Sequence, residues 1–218
     1  MKPAVVFDLD GTLADTVPVI AHHIAETITS FGTLVRPEDV VPYIGRPLEV
    51  ALAGLTELPE DDPRIEEIIT AYRIRWRSAV DLHGETLLLP GARALLRRLR
   101  EAGLAVGVVT AKTHAIADHL LVSMGIRDLV DVLVGTDEVP RGKPAPDSAL
   151  LALDLLGVTA ADTWYVGDAL SDVAMALAAG MRPLGVTTGA CSEEQLREAG
   201  AELVVSSPEQ VAAIILGA

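Results

Sequence analysis

From about residue 86 to the end, short β-branched runs alternate with segments of helical periodicity, and this rhythm constrains the fold more than any other feature. An apolar run at 4–7 adds one strand near the start, and further strands are predicted at 105–110, 132–135, 163–167, 184–187 and 202–205. Helices are predicted at 91–102, 115–124, 146–156, 171–179, 193–199 and 208–216. Such alternation is typical of an α/β fold, here a Rossmann-like, mainly parallel sheet with helices on both faces.

The residues that border these helices agree with the prediction. Glycine follows four of the helical runs, where a left-handed residue commonly ends a helix: Gly103, Gly125, Gly157 and Gly180. Ser192 and Ser207 stand where an N-cap is expected.

Residues 15–85 interrupt the rhythm because they contain no convincing strand. Helices are predicted at 16–31, 37–44, 48–58 and 64–82, with Asp15 as the N-cap of the first. We therefore predict an all-helical cap domain over 15–85, inserted into an α/β core formed by 1–14 and 86–218.

Composition excludes several classes of protein. A net charge of −14 argues against nucleic acid as a partner, since binding to phosphate backbones needs clustered Lys and Arg. The single cysteine, Cys191, cannot form an intrachain disulfide and suits a reducing compartment. Neither a signal peptide nor an apolar stretch of membrane-spanning length is visible in the sequence. We expect a cytoplasmic protein without a membrane partner, either a monomer or a homodimer.

Two acids follow the first predicted strand directly. Asp8 and Asp10 are two residues apart, so both point to the same side of the strand end, and Gly11 permits a sharp turn after them. Ligands of open α/β sheets bind at this end of the strands. Two carboxylates placed there repel each other unless a cation or a proton separates them. The alternative is an ordinary Asp-Gly turn without a chemical role.

A hydroxyl and a lysine occupy later strand ends. Thr110 comes where a strand gives way to a helix, so its hydroxyl and the free N–H groups of the helix could bind an anion, although it could also be a simple cap. Pro144 favours an extended Lys143, which would project its ammonium away from the following helix. A solvated lysine is the alternative there.

A second pair of acids, Asp168 and Asp172, spans the end of the strand predicted at 163–167 and the start of the next helix. Asp172 lies about one helical turn after Asp168, on the same side. Carboxylates at a loosely spaced site suit Mg²⁺. Asp172 could instead be only a helix cap.

The ordered set Asp-x-Asp-Gly-Thr, Thr, Lys and Gly-Asp-x-x-x-Asp resembles the haloacid dehalogenase superfamily over essentially the whole chain, most closely its phosphoglycolate phosphatase-like members with a helical cap. The resemblance implies that Asp8 is the nucleophile and Asp10 the general acid/base. It further implies that the phosphoryl group is bound around Gly11, Thr12, Thr110, Ala111 and Lys143. Mg²⁺ would be held by Asp8, the carbonyl of Asp10, Asp168 and Asp172. Ala111 departs from the family, whose phosphatases often have Asn there, whereas some of its phosphomutases have Ala.

These observations predict a Mg²⁺-dependent phosphatase that hydrolyses a small phosphorylated metabolite through an aspartyl-phosphate. A phosphomutase of the β-phosphoglucomutase type and a non-catalytic phosphate-binding module are the alternatives. Three arginines of the predicted cap could select an anionic substrate: Arg46, in a tight Gly-Arg-Pro loop, and Arg73 and Arg77, which share one helix face. The alternative is that Arg73 and Arg77 only balance Glu66, Glu67 and nearby acids on a solvated face, and the same alternative is open for Arg46.

Overall fold

A computed structural model describes residues 3–217 of the chain. Six strands form one sheet: β1 (Ala4–Phe7), β2 (Ala105–Val109), β3 (Val132–Val134), β4 (Thr163–Gly167), β5 (Arg182–Val186) and β6 (Leu203–Val205). Their order is β3-β2-β1-β4-β5-β6 and every neighbouring pair is parallel. This is the strand order of a Rossmann-like sheet, and the order reverses direction beside β1.

The sheet is covered on both faces because side chains of the central strand alternate between two apolar layers. Val5 and Phe7 face one layer and Val6 faces the other. The first layer is completed by α5 (Ala92–Glu101), α6 (His114–Ser123) and α10 (Pro208–Leu216). The second is completed by α7 (Asp147–Leu156) and α8 (Leu170–Ala178), while α9 (Glu193–Glu198) packs near β5 and β6.

Between β1 and α5 lies a helical segment made of α1 (Val17–Ser30), α2 (Pro37–Val40), α3 (Leu48–Thr56) and α4 (Pro63–His83). Residues 15–87, all of which the structure describes, contain no strand. The chain enters and leaves this segment through two adjacent linkers. Ala14 pairs antiparallel with Leu88, and the Asp15 amide donates to the Leu87 carbonyl at 2.7 Å. The long helix α4 buries one apolar stripe against its neighbours, which includes Ile65, Ile69, Tyr72 and Trp76.

The predicted α/β class is confirmed, and most element boundaries agree to within two residues. The four glycines after helices all have positive φ, and Ser192 and Ser207 both cap helices through their side chains. The predicted Asp15 cap is wrong. Thr16 is the N-cap of α1, and no side chain bonds to the free amides there. Within the described residues, no helix has the length and apolar character that crossing a membrane requires.

Candidate active site

The predicted site residues follow neighbouring strands at the carboxyl edge of the sheet. Asp8 follows β1, Thr110 follows β2 and Asp168 follows β4, and β1 lies between β2 and β4. The Asp8 amide donates to the Val166 carbonyl at 2.8 Å, so the sheet's hydrogen bonding continues to this predicted nucleophile. The acids therefore meet at the crevice where ligands bind in open α/β sheets.

Lys143 lies between two of these carboxylates. Its Nζ donates to Asp8 Oδ1 at 2.6 Å and to Asp172 Oδ1 at 2.7 Å, and its side chain is only 3% exposed. Lys143 is therefore not the solvated lysine of the alternative interpretation. A buried ammonium between two carboxylates offsets part of their repulsion and holds both in fixed positions.

Asp172 has two roles. Its Oδ2 accepts from the Ala169 amide at 3.1 Å, so it does cap the start of α8, as the alternative supposed. Its Oδ1 accepts from Lys143 and also from the Tyr165 hydroxyl at 3.1 Å. The capping bond thus orients a carboxylate that also belongs to the buried cluster.

Asp168 is positioned by the loop after β5 and by the loop after β1. Its Oδ2 accepts from the Ala190 amide at 2.7 Å, and its Oδ1 accepts from the Thr12 hydroxyl at 3.1 Å. Gly11 and Gly189 approach this carboxylate so closely that a Cβ at either position would collide with it. Glycine is required at both positions for steric reasons, and Gly11 also has a φ of +76°.

The crowding of acids changes their ionisation. Burial, opposed by Lys143 but reinforced by Asp172, Asp168 and Asp10, raises the pKa of Asp8 well above its usual value. Burial first, and then Asp172, raises the pKa of Asp168 to about 7. Burial alone would lower the pKa of Lys143, but Asp172 and Asp8 outweigh it and the net shift is upward. The site thus has more negative charge than its one buried lysine balances, which favours a second cation.

The donor set fits a hard divalent cation. Asp8, Asp168 and Asp172 each offer a carboxylate oxygen, and these oxygens lie within 4.8 Å of one another. All three residues are buried, and oxygen-only donors suit Mg²⁺. Asp172 Oδ1 already accepts two hydrogen bonds, so Asp8 and Asp168 have the more available oxygens.

Asp10 has different partners from the other three acids. Its two carboxylate oxygens each accept from Lys112 Nζ at 2.8 Å, and Oδ1 also accepts from the Thr16 hydroxyl at 2.6 Å. The Lys112 ammonium in turn lies 4.5 Å from the centre of the Trp76 ring on α4. Asp10 therefore contacts the start of the helical segment directly and its long helix through Lys112.

Thr110 and Ala111 form the neighbouring wall. Thr110 is buried, and its Oγ1 accepts from the Lys112 amide at 3.2 Å, which leaves its hydroxyl hydrogen available to a ligand. Ala111 lines the cavity above Asp8 and Asp10. The structure thus brings these two predicted phosphoryl-binding residues to the same edge of the sheet as Asp8.

A cavity of about 170 Å³ separates this edge from the helical segment. Asp8, Asp10 and Asp168 line its core side, and Tyr72, Trp76 and Ile24 are among the residues of the helical side. Arg46 and Arg73 also line it, and the Arg46 guanidinium lies 5.3 Å from the centre of the Tyr43 ring. Arg77 is exposed on α4 and is not among the described residues that line the cavity.

Comparison with known proteins gives the family. The sequence model of the haloacid dehalogenase-like hydrolases matches residues 5–186. The chain belongs to the haloacid dehalogenase-like hydrolase family. The predicted family resemblance and the predicted enzyme class, a phosphoric monoester hydrolase, are confirmed by this match and by relatives named as phosphatases.

Two named relatives illustrate the similarity, and each match spans most of this chain. "Probable phosphatase IndB" of Dickeya dadantii is 37% identical over 215 residues, covering 97% of this chain and 92% of that protein. A phosphoglycolate phosphatase of Pseudomonas putida is 34% identical over 194 residues, covering 85% and 69%. Among solved structures, a predicted phosphatase from Clostridium acetobutylicum superposes with a TM-score of 0.84 at 27% identity, and all of both chains is covered.

Several contacts of this hydrolase site were not predicted from the sequence. Lys112 follows the Thr110 position and has no distinguishing neighbour in the sequence, so nothing signalled its bond to Asp10. The sequence places Tyr165 only within a strand, whereas in the structure its hydroxyl donates to Asp172. The Ala190 amide contacts Asp168 from a loop 22 residues away. Such contacts depend on tertiary packing.

Proposed function

We propose that this hydrolase is a Mg²⁺-dependent phosphatase that cleaves a small phosphorylated metabolite through an aspartyl-phosphate on Asp8. One observation carries the proposal: Asp8 lies at the wall of a cavity, bonded to a buried lysine and surrounded by further buried carboxylates. Covalent phosphoryl transfer needs a fixed carboxylate nucleophile and cations to offset the charge of the phosphate.

The proposed reaction has two steps. In the first, an Asp8 oxygen bonds to phosphorus, the bond from phosphorus to the ester oxygen breaks, and Asp10 gives that oxygen a proton. In the second, a water molecule attacks phosphorus while Asp10 takes its proton, and the acyl-phosphate bond breaks to release phosphate and Asp8. General acid/base help of this kind typically contributes a factor of about 10² to 10⁴ to the rate.

Phosphate binding would use groups that the fold already presents. Lys143 supplies a buried positive charge beside Asp8, and Thr110 supplies a hydroxyl at the neighbouring strand end. Ala111 would contribute its backbone amide. The Gly11 amide donates to the Ala14 carbonyl at 2.7 Å, so Gly11 would contribute only the tight turn that brings this loop close to the phosphate. The Thr12 hydroxyl is bonded to Asp168, so we assign Thr12 a backbone contribution as well.

Mg²⁺ would be held by Asp8, Asp168 and the Asp10 carbonyl, with Asp172 beside them. When bound, it would neutralise charge on the phosphate oxygens and on the Asp8 carboxylate. The raised pKa of Asp8 and of Asp168 supports this assignment, because an added cation favours the ionised form of both groups.

In the proposed division, residues 15–85 form a cap domain on a core of residues 1–14 and 86–218. This cap domain would close over the cavity and select the substrate. The paired linkers at Ala14 and Leu88 provide a compact connection for such movement. Arg46 and Arg73 line the cavity and could bind an anionic group of the substrate. Because a relative is named phosphoglycolate phosphatase, 2-phosphoglycolate is the first substrate to test.

The proposal is tested by measuring phosphate release from a set of phosphorylated metabolites with Mg²⁺. We expect sustained multiple turnover with at least one of them. Transfer of the phosphoryl group to a second hydroxyl of a sugar phosphate, with little free phosphate, would identify a phosphomutase instead. A single burst without turnover, or no release at all, would indicate a phosphate-binding or phosphate-accepting module.

A further inference from the structure

Lys112 occupies both oxygens of the proposed acid/base. The ammonium donates to Oδ1 and Oδ2 of Asp10 at 2.8 Å each, and Thr16 donates to Oδ1 at 2.6 Å. Both lone pairs of Oδ1 are thus used, and Oδ2 keeps only one. In this arrangement the Asp10 carboxylate is directed at Lys112 and is poorly available to the ester oxygen of a substrate.

The same lysine belongs to the wall that a substrate's leaving group would contact. Lys112, Asp10 and Trp76 all line the cavity, and the Lys112 side chain is only 12% exposed. Its ammonium lies against the face of the Trp76 ring at 4.5 Å, a favourable cation–π arrangement.

Trp76 presents the face of its ring to the ammonium. Its indole Nε1 is buried, so it is not the group that a ligand in the cavity would contact. Lys112 supplies a cation on this wall, and a cation there matches an anionic group with acceptor oxygens, such as a carboxylate.

We propose that Lys112 recognises the leaving group of the substrate. When that group is anionic, the Lys112 ammonium breaks its hydrogen bonds to Asp10 and donates to the anionic group instead. The freed Asp10 carboxylate then takes up a proton from solvent water, and this is the proton that it gives to the ester oxygen. The proposal rests on the proposed roles of Asp8 and Asp10. It adds that Lys112 couples the charge of the substrate to the availability of Asp10. A substrate with an anionic leaving group is therefore expected to bind more tightly and also to have a higher kcat than a neutral one.

The exchange costs little because neither residue is left unpaired. Asp10 keeps the Thr16 hydroxyl, and Lys112 keeps the face of Trp76. The charged hydrogen bonds to Asp10 are replaced by equivalent ones to the substrate. A neutral leaving group offers no such replacement, so Lys112 remains on Asp10.

The test compares 2-phosphoglycolate with its amide, which has the same shape without the charge, and with p-nitrophenyl phosphate, whose leaving group needs no proton. The ratio of kcat/KM for 2-phosphoglycolate to kcat/KM for the amide should fall about tenfold or more in Lys112→Met, the scale of lost charge-assisted hydrogen bonds. Lys112→Arg keeps the charge and should restore part of the ratio. Part of the loss should be in kcat, since the exchange also frees Asp10.

An unchanged ratio in Lys112→Met, with equal losses on all three substrates, would overturn the proposal and leave Lys112 as a positioning residue for Asp10. Thermal unfolding and Mg²⁺ binding of each variant separate this outcome from misfolding. To separate binding from chemistry, the affinity of the Asp8→Asn protein for the two glycolate compounds is measured by calorimetry. Lys112→Met in that background should lower the preference for the charged compound, and an unchanged preference would also overturn the proposal.

Failure of the proposed function itself has a different signature. Wild-type protein would then release no phosphate with Mg²⁺ from any phosphorylated metabolite of the set or from p-nitrophenyl phosphate, or Asp8→Asn would release it at the wild-type rate.

Discussion

The carboxyl edge of the sheet and the helical segment face each other across one cavity, yet their polar groups are held very differently. On the sheet side, Lys143 and Asp172 are almost fully buried and bonded to each other. On the helical side, Arg46 and Arg73 are exposed, and no described residue forms a salt bridge with either. Fixed, buried charges suit a chemical step that is the same for every substrate, whereas exposed arginines can adapt to different leaving groups.

The largest loss of activity is expected from a substitution among the buried charged residues at the carboxyl edge of the sheet. Asp8→Asn keeps the shape of the side chain but cannot form an acyl phosphate, so turnover should fall by up to about 10⁶-fold, the scale for loss of a covalent nucleophile. Steady-state phosphate release measures this, and circular dichroism checks the fold. Hydrolysis near the wild-type rate would show that the buried edge is not the centre of the chemistry.

The second effect concerns the metal. Asp168→Ala removes an oxygen donor from the buried cluster, so the Mg²⁺ concentration for half-maximal activity should rise by roughly 100-fold or more, beyond what loss of an outer-sphere contact causes. Excess chelator should abolish wild-type activity, and Mg²⁺ should raise the wild-type Tm but not that of the variant. Full activity in chelator would show that these acids are structural.

A smaller effect on activity is expected from substitution of an exposed arginine of the helical segment. Arg46→Ala should raise KM for an anionic substrate roughly tenfold, the scale of one charge-assisted hydrogen bond, and change KM for a neutral aryl phosphate much less. Arg77→Ala is the matched control, since Arg77 is on the same segment but does not line the cavity. Equal changes with both substrates would mean that Arg46 supports the structure of its loop.

The smallest expected effect concerns the hydrogen bonds that hold Asp172 in the buried cluster. Tyr165→Phe removes one hydrogen bond to Asp172, and Lys143 and the Ala169 amide still hold that carboxylate. We expect the free energy of unfolding to fall by about 1 kcal/mol. Denaturant unfolding measures this difference. A loss of turnover as large as that of Asp8→Asn would mean that the hydroxyl takes part in the reaction.

The two regions also differ in how much the sequence predicts. Asp8, Thr110 and Asp168 are predictable because each follows a strand and parallel strands all end at one edge of the sheet. The bond of Thr16 to Asp10 is not predictable in this way, because it depends on how the helical segment packs on the core. The bond of Lys112 to Asp10 joins two loops of the core, but it depends on the conformation of the loop after β2. Thr16 illustrates this: the sequence predicts Asp15 as the cap of α1, whereas Thr16 is the N-cap residue and its hydroxyl donates to Asp10 rather than accepting from a helix amide.

Dependence on tertiary packing also explains why the sequence does not tell which arginine of α4 lines the cavity. Helical periodicity places Arg73 and Arg77 on one face of α4, four residues apart, but it cannot say which of the two reaches a cavity formed with another part of the chain. In the structure Arg73 lines the cavity and Arg77 does not.

The central claim, that Asp8 carries the phosphoryl group, is tested most directly by trapping the intermediate. Asp10→Asn should slow both steps and lacks the base for hydrolysis, so after mixing with substrate and Mg²⁺ and rapid acid quenching, part of the protein should carry one phosphoryl group. Peptide mass spectrometry should locate it on Asp8, and the double variant Asp8→Asn, Asp10→Asn should carry none. Turnover by the wild-type protein with no phosphoryl group on Asp8 at any quench time, or a phosphoryl group on another residue, would contradict the account.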